Sequence, residues 1–501
     1  MDAMGTANHI LALDQGTTSS RAMVFDRSAR AVSVAQQPIT QIYPRPGWVN
    51  QDAAEIWTTT LEAARAALQQ AGLTGSDIAG IGIVNQRETL IVWDRATSGA
   101  VSPAIVWQSR QSQPLIDALL TRGMGPAYQS KTGLVPDAYF TASKLAWLLE
   151  DQPDLRRRAE SGELLAGTVD SWLLWNLTAG AVHATDVSNA SRTMLFDIQA
   201  LDWSPELIQD MAIPRQMLPR VVASAGVTGF TVPQLFSAGI PVSGIAGDQQ
   251  AALFGQACFA PGEAKNTYGT GSFLLMNTGD EMKRSGHQLL STIAWRIDQE
   301  VDYALEGSIF ISGAAVEWLR DGLGIIDSVQ DVELLAASVP DTAGVTVVPA
   351  LTGLGAPHWD AAARGTILGL TRGSTAAHIA RATLEAVAFQ TRDVTDAMIA
   401  DSRIPLTSLR VDGGAARNDL LMQIQADVLG VPVIRPKNVQ TTALGAAFLA
   451  GLGCGLWPDK ASLSDRWSVD RVFEPAVGEA ERQSRYGTWQ VAVERSRGWA
   501  P

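Results

Sequence analysis

Short apolar runs and polar turns alternate through the first hundred residues. Residues 9–13 (HILAL) form a run of strand length, closed by the polar turn Asp14-Gln15-Gly16-Thr17-Thr18-Ser19-Ser20. Runs at 22–25 and 31–35 predict two more strands around a turn at 26–30. Residues 53–71 are rich in alanine and predict a helix stopped by Gly72. Residues 81–84 and 90–93 predict strands flanking the polar loop 85–89. The opening pattern then returns in the second half. Residues 264–267 lead into Tyr268-Gly269-Thr270-Gly271-Ser272, followed by the apolar run 273–276. The two Gly-Thr turns lie 269 − 16 = 253 residues apart in a chain of 501. A strand–turn–strand unit repeated at half-chain spacing predicts two similar domains. Gly-Thr-Ser turns are common, so on this pattern alone coincidence stays open.

Residues 214–247 are rich in Pro, Gly and Ser and poor in helix signals, which makes them the candidate boundary region. Beyond them strands and helices alternate. Ile379, Ala382, Ala386 and Phe389 share one face of a helix predicted over 377–399. A strand at 409–411 ends in Asp412-Gly413-Gly414, and a helix over 418–429 is stopped by Gly430. This alternation predicts α/β layering with mixed sheets.

Composition narrows the function classes. Hydrophobic residues make up 46% and charged residues 18%, which fits a large core and argues against disorder. The net charge of −13 repels phosphate backbones, so no nucleic-acid partner is expected. Cys258 and Cys454 cannot build a disulfide framework, and the five histidines show no zinc-ligand spacing. No apolar run reaches the roughly 18 residues needed to span a bilayer, and residues 1–8 lack the features of a signal peptide. The expectation is a cytoplasmic protein without membrane insertion.

The turns suggest phosphate chemistry. Thr17, Thr18, Ser19 and neighbouring amides form a dense donor set, and Gly16 lets an anion approach the backbone. Arg21 adds a bidentate cation, and Asp14, at the end of its strand, could hold Mg²⁺ directly or through water. The turn at Gly269 and Thr270 could grip phosphate from the other side. Each turn taken singly reads more readily as a solvated hairpin; two such turns in matching positions reverse that preference. No GxxxxGK[ST] sequence occurs, so the chain is not a P-loop enzyme.

Many segments, in order, carry a resemblance. They include LALDQGTTSSRAMVFD (11–26), NQRET (85–89), AIVWQSR (104–110), GIAGDQQAALFGQ (244–256), NTYGTGSF (266–273), LEGSIFISG (305–313), TGLGAPHWD (352–360) and RVDGGAARND (410–419). From about Ile10 to Trp489 the chain resembles the FGGY carbohydrate kinases of the actin-like ATPase superfamily, and NQRET and GDQQA resemble the glycerol kinases among them. The resemblance implies two actin-like (ribonuclease H-like) α/β domains with mixed sheets flanked by helices and an interdomain active site. Residues 1–255 would bind the polyol and carry the first phosphate loop, and residues 256–501 would bind nucleotide. The implied reaction is phosphorylation of glycerol by ATP with Mg²⁺, giving sn-glycerol 3-phosphate and ADP. Homodimers or homotetramers are also implied.

Carried over residue by residue, Arg87 and Glu88 match the pair that bonds the glycerol hydroxyls. Trp107, Tyr139, Gln249 and Phe273 match further polyol contacts, and Asp248 matches the catalytic base. Thr17, Thr18, Ser19, Arg21 and Thr270 match phosphate contacts. Gly313, Glu317, Gly414 and Asn418 match positions around the nucleotide, where Glu317 departs from the family's glutamine. Consecutive strand residues face opposite ways, so Arg87 and Glu88 can share a ligand only if the backbone leaves strand geometry near Gln86. Two alternatives remain: a related FGGY kinase acting on another polyol or a ketopentose, and an actin-like protein without a small-molecule acceptor.

Overall fold

The computed structural model describes residues 7–500. The segment 1–8, whose composition bears on targeting, therefore lies outside the described residues through position 6. Thirteen strands form one continuous sheet. They are β1 (His9–Gln15), β2 (Ser19–Phe25), β3 (Ala31–Pro38), β4 (Ile78–Asn85), β5 (Ala225–Phe230), β6 (Pro241–Gly247), β7 (Glu263–Tyr268), β8 (Ser272–Gly279), β9 (Leu290–Ile297), β10 (Glu300–Ile309), β11 (Ser408–Gly413), β12 (Val433–Pro436) and β13 (Val469–Phe473). Their spatial order is β13-β12-β11-β7-β8-β10-β9-β5-β6-β4-β1-β2-β3.

The half-chain repeat is visible in this order. In the first unit β1 pairs antiparallel with β2 and β2 with β3, while β1–β4 and β4–β6 are parallel. In the second unit β7 pairs antiparallel with β8 and β8 with β10, while β7–β11 and β11–β12 are parallel. Each unit is thus the same five-strand mixed sheet. The two units join through β9 and β5, which meet in parallel at Ala225 and Ile297.

Six helices support or border the cleft: α1 (Ala53–Ala71), α2 (Asp248–Gly255), α3 (Gly313–Asp321), α4 (Ala376–Ser402), α5 (Asp419–Leu429) and α6 (Thr441–Gly453). The expected α1 forms as read. Asp52 caps it by accepting from the Ala54 amide at 2.8 Å, and Gly72 ends it at φ 67°, a left-handed stop that glycine adopts without strain. Helices α2 and α6 each follow the fifth strand of their unit, and they pack on one another. Glycines make this possible. A Cβ on Gly445 would lie 1.8 Å from the Ala251 carbonyl oxygen, and one on Gly255 would lie 2.0 Å from that of Thr441. The buried core at this contact mixes both units, with Ile10, Ala12 and Val84 packed among Ala443, Ala447 and Leu449.

One expectation is corrected. Residues 214–247 are not a linker between units: they contain β5 and β6, and β6 is a central strand beside β4. Their small residues serve packing rather than flexibility, since a Cβ on Gly244 would lie 2.4 Å from the Ala450 amide. The strand expected at 90–93 forms as Ile91–Asp94, and it pairs with Leu164–Gly167 in a separate two-stranded sheet. Among the described residues, no helix is long and apolar enough to cross a membrane.

Candidate active site

Strand β4 ends at Asn85, and the next four residues are buried as the backbone turns out of the sheet. Glu88 adopts φ 61°, a left-handed conformation that is unusual for a non-glycine residue. This departure supplies the geometry that two adjacent side chains need in order to converge. Arg87 Nε lies 3.8 Å from Glu88 Oε1 and 3.0 Å from Asp248 Oδ1.

Two residues that the sequence did not single out complete this cluster. Glu306, on β10, accepts both arms of Arg87 at 2.6 and 3.0 Å. Arg192 donates to Glu88 at 2.7 Å and to Glu306 at 3.1 Å. Both arginines and both glutamates are almost wholly buried. The two carboxyls respond differently. Burial pushes both up, but at Glu306 the attraction of Arg192 and Arg87 wins and holds the group at about 2. At Glu88 the same two arginines offset only part of the burial, and its pKa stays raised. Glu306 lies inside LEGSIFISG, and its one legible signal is a charge next to the apolar residues Ala304 and Leu305. Arg192 has no such signal.

Asp248 is the first residue of α2, with Gly247 in the cap position. Its carboxylate accepts from the Gln249 amide at 2.7 Å and remains one-third exposed (33%) toward the cleft. Asp14, at the end of β1, lies 3.8 Å from Arg21. Burial pushes its carboxyl up to about 6; Arg21 lowers it and the charge of Asp248 raises it further. Asp14, only partly offset by Arg21, offers carboxylate oxygens suited to a hard divalent cation. Among the described residues no group of three or more His, Cys, Asp or Glu side chains could hold a metal. An ion here would draw its remaining ligands from water or phosphate.

The aromatic residues line the same region. Trp107 donates from Nε1 to Thr17 Oγ1 at 2.9 Å, and its ring stands edge-on to Tyr139 with centroids 5.5 Å apart. Trp107 thus links the Gly16–Ser19 turn to Tyr139. Tyr139 is held from behind by Arg192, whose guanidinium carbon is 5.9 Å from its ring. Phe273 lies on β8, and its carbonyl accepts from buried Lys265 at 3.2 Å. Lys265 also hydrogen-bonds Gln249 Oε1. Sequence reasoning missed Lys265 too.

Both Gly-Thr turns are closed by a backbone hydrogen bond from their first glycine, over different spans. Gly16 N donates to Ser19 O at 2.9 Å, and Gly269 N donates to Gly271 O at 2.8 Å. Thr17 is held through its carbonyl by Gln41 and Gln51, Ser19 accepts from Gln36, and Thr18 is exposed. Arg21 hydrogen-bonds Gln36 and, from the second unit, Gln440. On the other side, Thr270 O accepts from the Ser312 and Ala314 amides, and Gly269 O accepts from Gly313 N at 3.0 Å. This seats the α3 N-terminus on the turn. A Cβ on Gly313 would lie 2.6 Å from Gly269 O, so that position requires glycine. Glu317 is exposed on α3. Asn418 caps α5 by accepting from Leu421 N at 2.8 Å. A Cβ on Gly414 would meet nothing within 4 Å, whereas Gly413, at φ 86°, would strike Tyr268 O at 2.3 Å. Gly413 therefore makes the tight turn, and Gly414 leaves open surface.

Comparison with known proteins fits this geometry. Residues 9–255 match the N-terminal domain, and residues 264–454 the C-terminal domain, of the FGGY family of carbohydrate kinases. The chain is 58% identical over 492 residues to the glycerol kinase of Aromatoleum aromaticum, covering 98% of this chain and 99% of that protein. It is 56% identical over 491 residues to glycerol kinase 2 of Thermotoga maritima, with coverage of 98% and 99%. The crystal structure of Plasmodium falciparum glycerol kinase with ADP superposes with a TM-score of 0.93 at 35% identity, covering 98% of each chain. A ligand-bound xylulose kinase from Lactobacillus acidophilus shares the fold, with a TM-score of 0.88 at 22% identity over 97% of each chain.

Proposed function

Since the chain belongs to the FGGY family of carbohydrate kinases, we propose that it transfers the γ-phosphoryl group of ATP to a terminal hydroxyl of glycerol, giving sn-glycerol 3-phosphate and ADP. The observation that carries this reading is the convergence of Arg87, Glu88 and Asp248 in one charged cluster, buried at Arg87 and Glu88 and open at Asp248. Glu88 accepts from one hydroxyl and Arg87 donates to another. Tyr139 and Gln249 supply further polar contacts, and Trp107 and Phe273 cover the carbon chain. Asp248 orients the attacking hydroxyl and takes its proton late, since phosphoryl transfer depends chiefly on positioning and charge neutralisation. The exposed third of Asp248 leaves its carboxylate accessible for this.

In this reading residues 1–255 form the polyol domain and residues 256–501 the nucleotide domain. The donors at Thr17, Thr18, Ser19, Arg21 and Thr270 hold the phosphates. Gly313, Glu317, Gly414 and Asn418 surround the nucleotide. Asp14 would hold Mg²⁺, directly or through water, and the ion would supply charge neutralisation. The reading also includes a cytoplasmic location and assembly into homodimers or homotetramers.

Coupled assay of ADP release with glycerol, erythritol, dihydroxyacetone and D-xylulose tests it. Glycerol is expected to give the highest kcat/KM, and a ketopentose outperforming it overturns the assignment. Asp248→Asn is expected to lower kcat by at least ~10²-fold.

A further inference from the structure

Lys265 lies mid-strand on β7 and is fully buried. Burying an ammonium is unfavourable unless it is paired or fully hydrogen-bonded, and Lys265 makes no ion pair among the described residues. Its Nζ donates instead to three neutral oxygens: Gln249 Oε1, Thr267 Oγ1 at 2.9 Å and the Phe273 carbonyl at 3.2 Å. Three donors meet three acceptors. Burial pushes the amine down to about 8, while Asp412, Asp248 and Glu306 favour its charged form and Arg87 opposes it. Nothing in the proposed reaction uses this group, yet two of its three partners belong to the acceptor pocket. They come from opposite units, Gln249 from α2 and Phe273 from β8.

We propose that Lys265 is a positioning residue for the acceptor, fixing the Gln249 carboxamide and tying it to the Phe273 segment. The inference rests on the assignment of this pocket to glycerol. With Oε1 committed to the ammonium, Gln249 can present only its NH₂ group to a ligand. The pocket then offers a donor at Gln249 opposite the acceptors Glu88 and Asp248, a pattern matched to a polyol whose hydroxyls both give and receive. Without Lys265 the amide is free to flip, and that pattern is lost.

The test uses Lys265→Met, which keeps the length and removes the donors, together with Gln249→Leu and the double variant. Steady-state kinetics are measured in both substrates. Lys265→Met is expected to raise KM for glycerol by at least ~10-fold, the loss expected for one charge-assisted hydrogen bond, with KM for ATP changed by less than about 3-fold. The double variant is expected to be no worse than the poorer single variant, because both act through one contact. Additive losses, or parallel rises in both KM values, would mark a merely structural role and overturn the proposal. If Lys265→Met does not fold, Lys265→Gln, which retains a donor, is expected to show a smaller rise confined to glycerol; wild-type constants there overturn the proposal equally. A wild-type protein inactive on glycerol sinks the functional reading, whereas an active wild type with an unaffected Lys265→Met sinks only this one.

Discussion

Asp14 shows how an ionisable side chain can oppose stability where it serves function. Its carboxyl is raised from 3.8 to about 6, first by burial and then by Asp248, with Arg21 offsetting part. The folded pKa exceeds the unfolded one, so the folded state binds the proton more tightly. The charged carboxylate therefore destabilises the ligand-free protein above pH ~6, and the penalty fades as pH falls toward 3.8. The shift corresponds to at most ~3 kcal/mol. Asp14→Asn is expected to raise the unfolding midpoint at pH 7.5, to leave it unchanged near pH 4, and to lower kcat. Calorimetry at the two pH values checks the first two, and a midpoint that falls at pH 7.5 contradicts the argument. Arg87, Glu88, Asp14 and Asp248 are legible in the sequence because each sits in a recognisable polar motif. Glu306, Arg192 and Lys265 are not. Each is a single charge whose role depends on burial and on a distant partner; Arg87 and Glu306 are 219 residues apart. Pattern along the chain does not reveal which charges a fold will bury together.

At the scale of elements, the contact between α2 and α6 is the tightest in the site's foundation. Helix α2 carries Asp248 at its N-terminus, and its flank at Ala251 presses on Gly445 of α6. Backbone cannot retreat as a flexible side chain can. Gly445→Ala is expected to lower the unfolding free energy by ~1–3 kcal/mol, as overpacking does, and to lower kcat because the displaced helix carries Asp248, the proposed base, with it. Thermal melts and steady-state kinetics check both, and a variant with wild-type kcat would uncouple the helix contact from Asp248. Helices α1, α4 and α5 are readable from alanine content, periodicity or a glycine stop, whereas α3 and α6 are not among the elements that the pattern predicts. Strands β5 and β6 pass for a boundary because their glycines, prolines and serines mimic a linker. Composition cannot distinguish a glycine that loosens a chain from one, like Gly244, that lets two elements touch.

For the whole molecule, the repeated five-strand order puts the two Gly-Thr turns in matching positions, each between the first two strands of its unit, with the two copies side by side in one sheet. The spacing of 253 residues announces that duplication, but no local pattern shows how the copies are joined. Helix α6 belongs by sequence to the second copy, yet it covers buried residues of the first. The copies have in this sense lost their autonomy: what began as repetition has become mutual custody of one interior. A break in the chain between Ala260 and Pro261, both exposed, should therefore yield two pieces that aggregate when expressed separately. Produced together, they should recover glycerol-dependent ADP release. A soluble, cooperatively melting first piece would show that it can keep its core without its sibling.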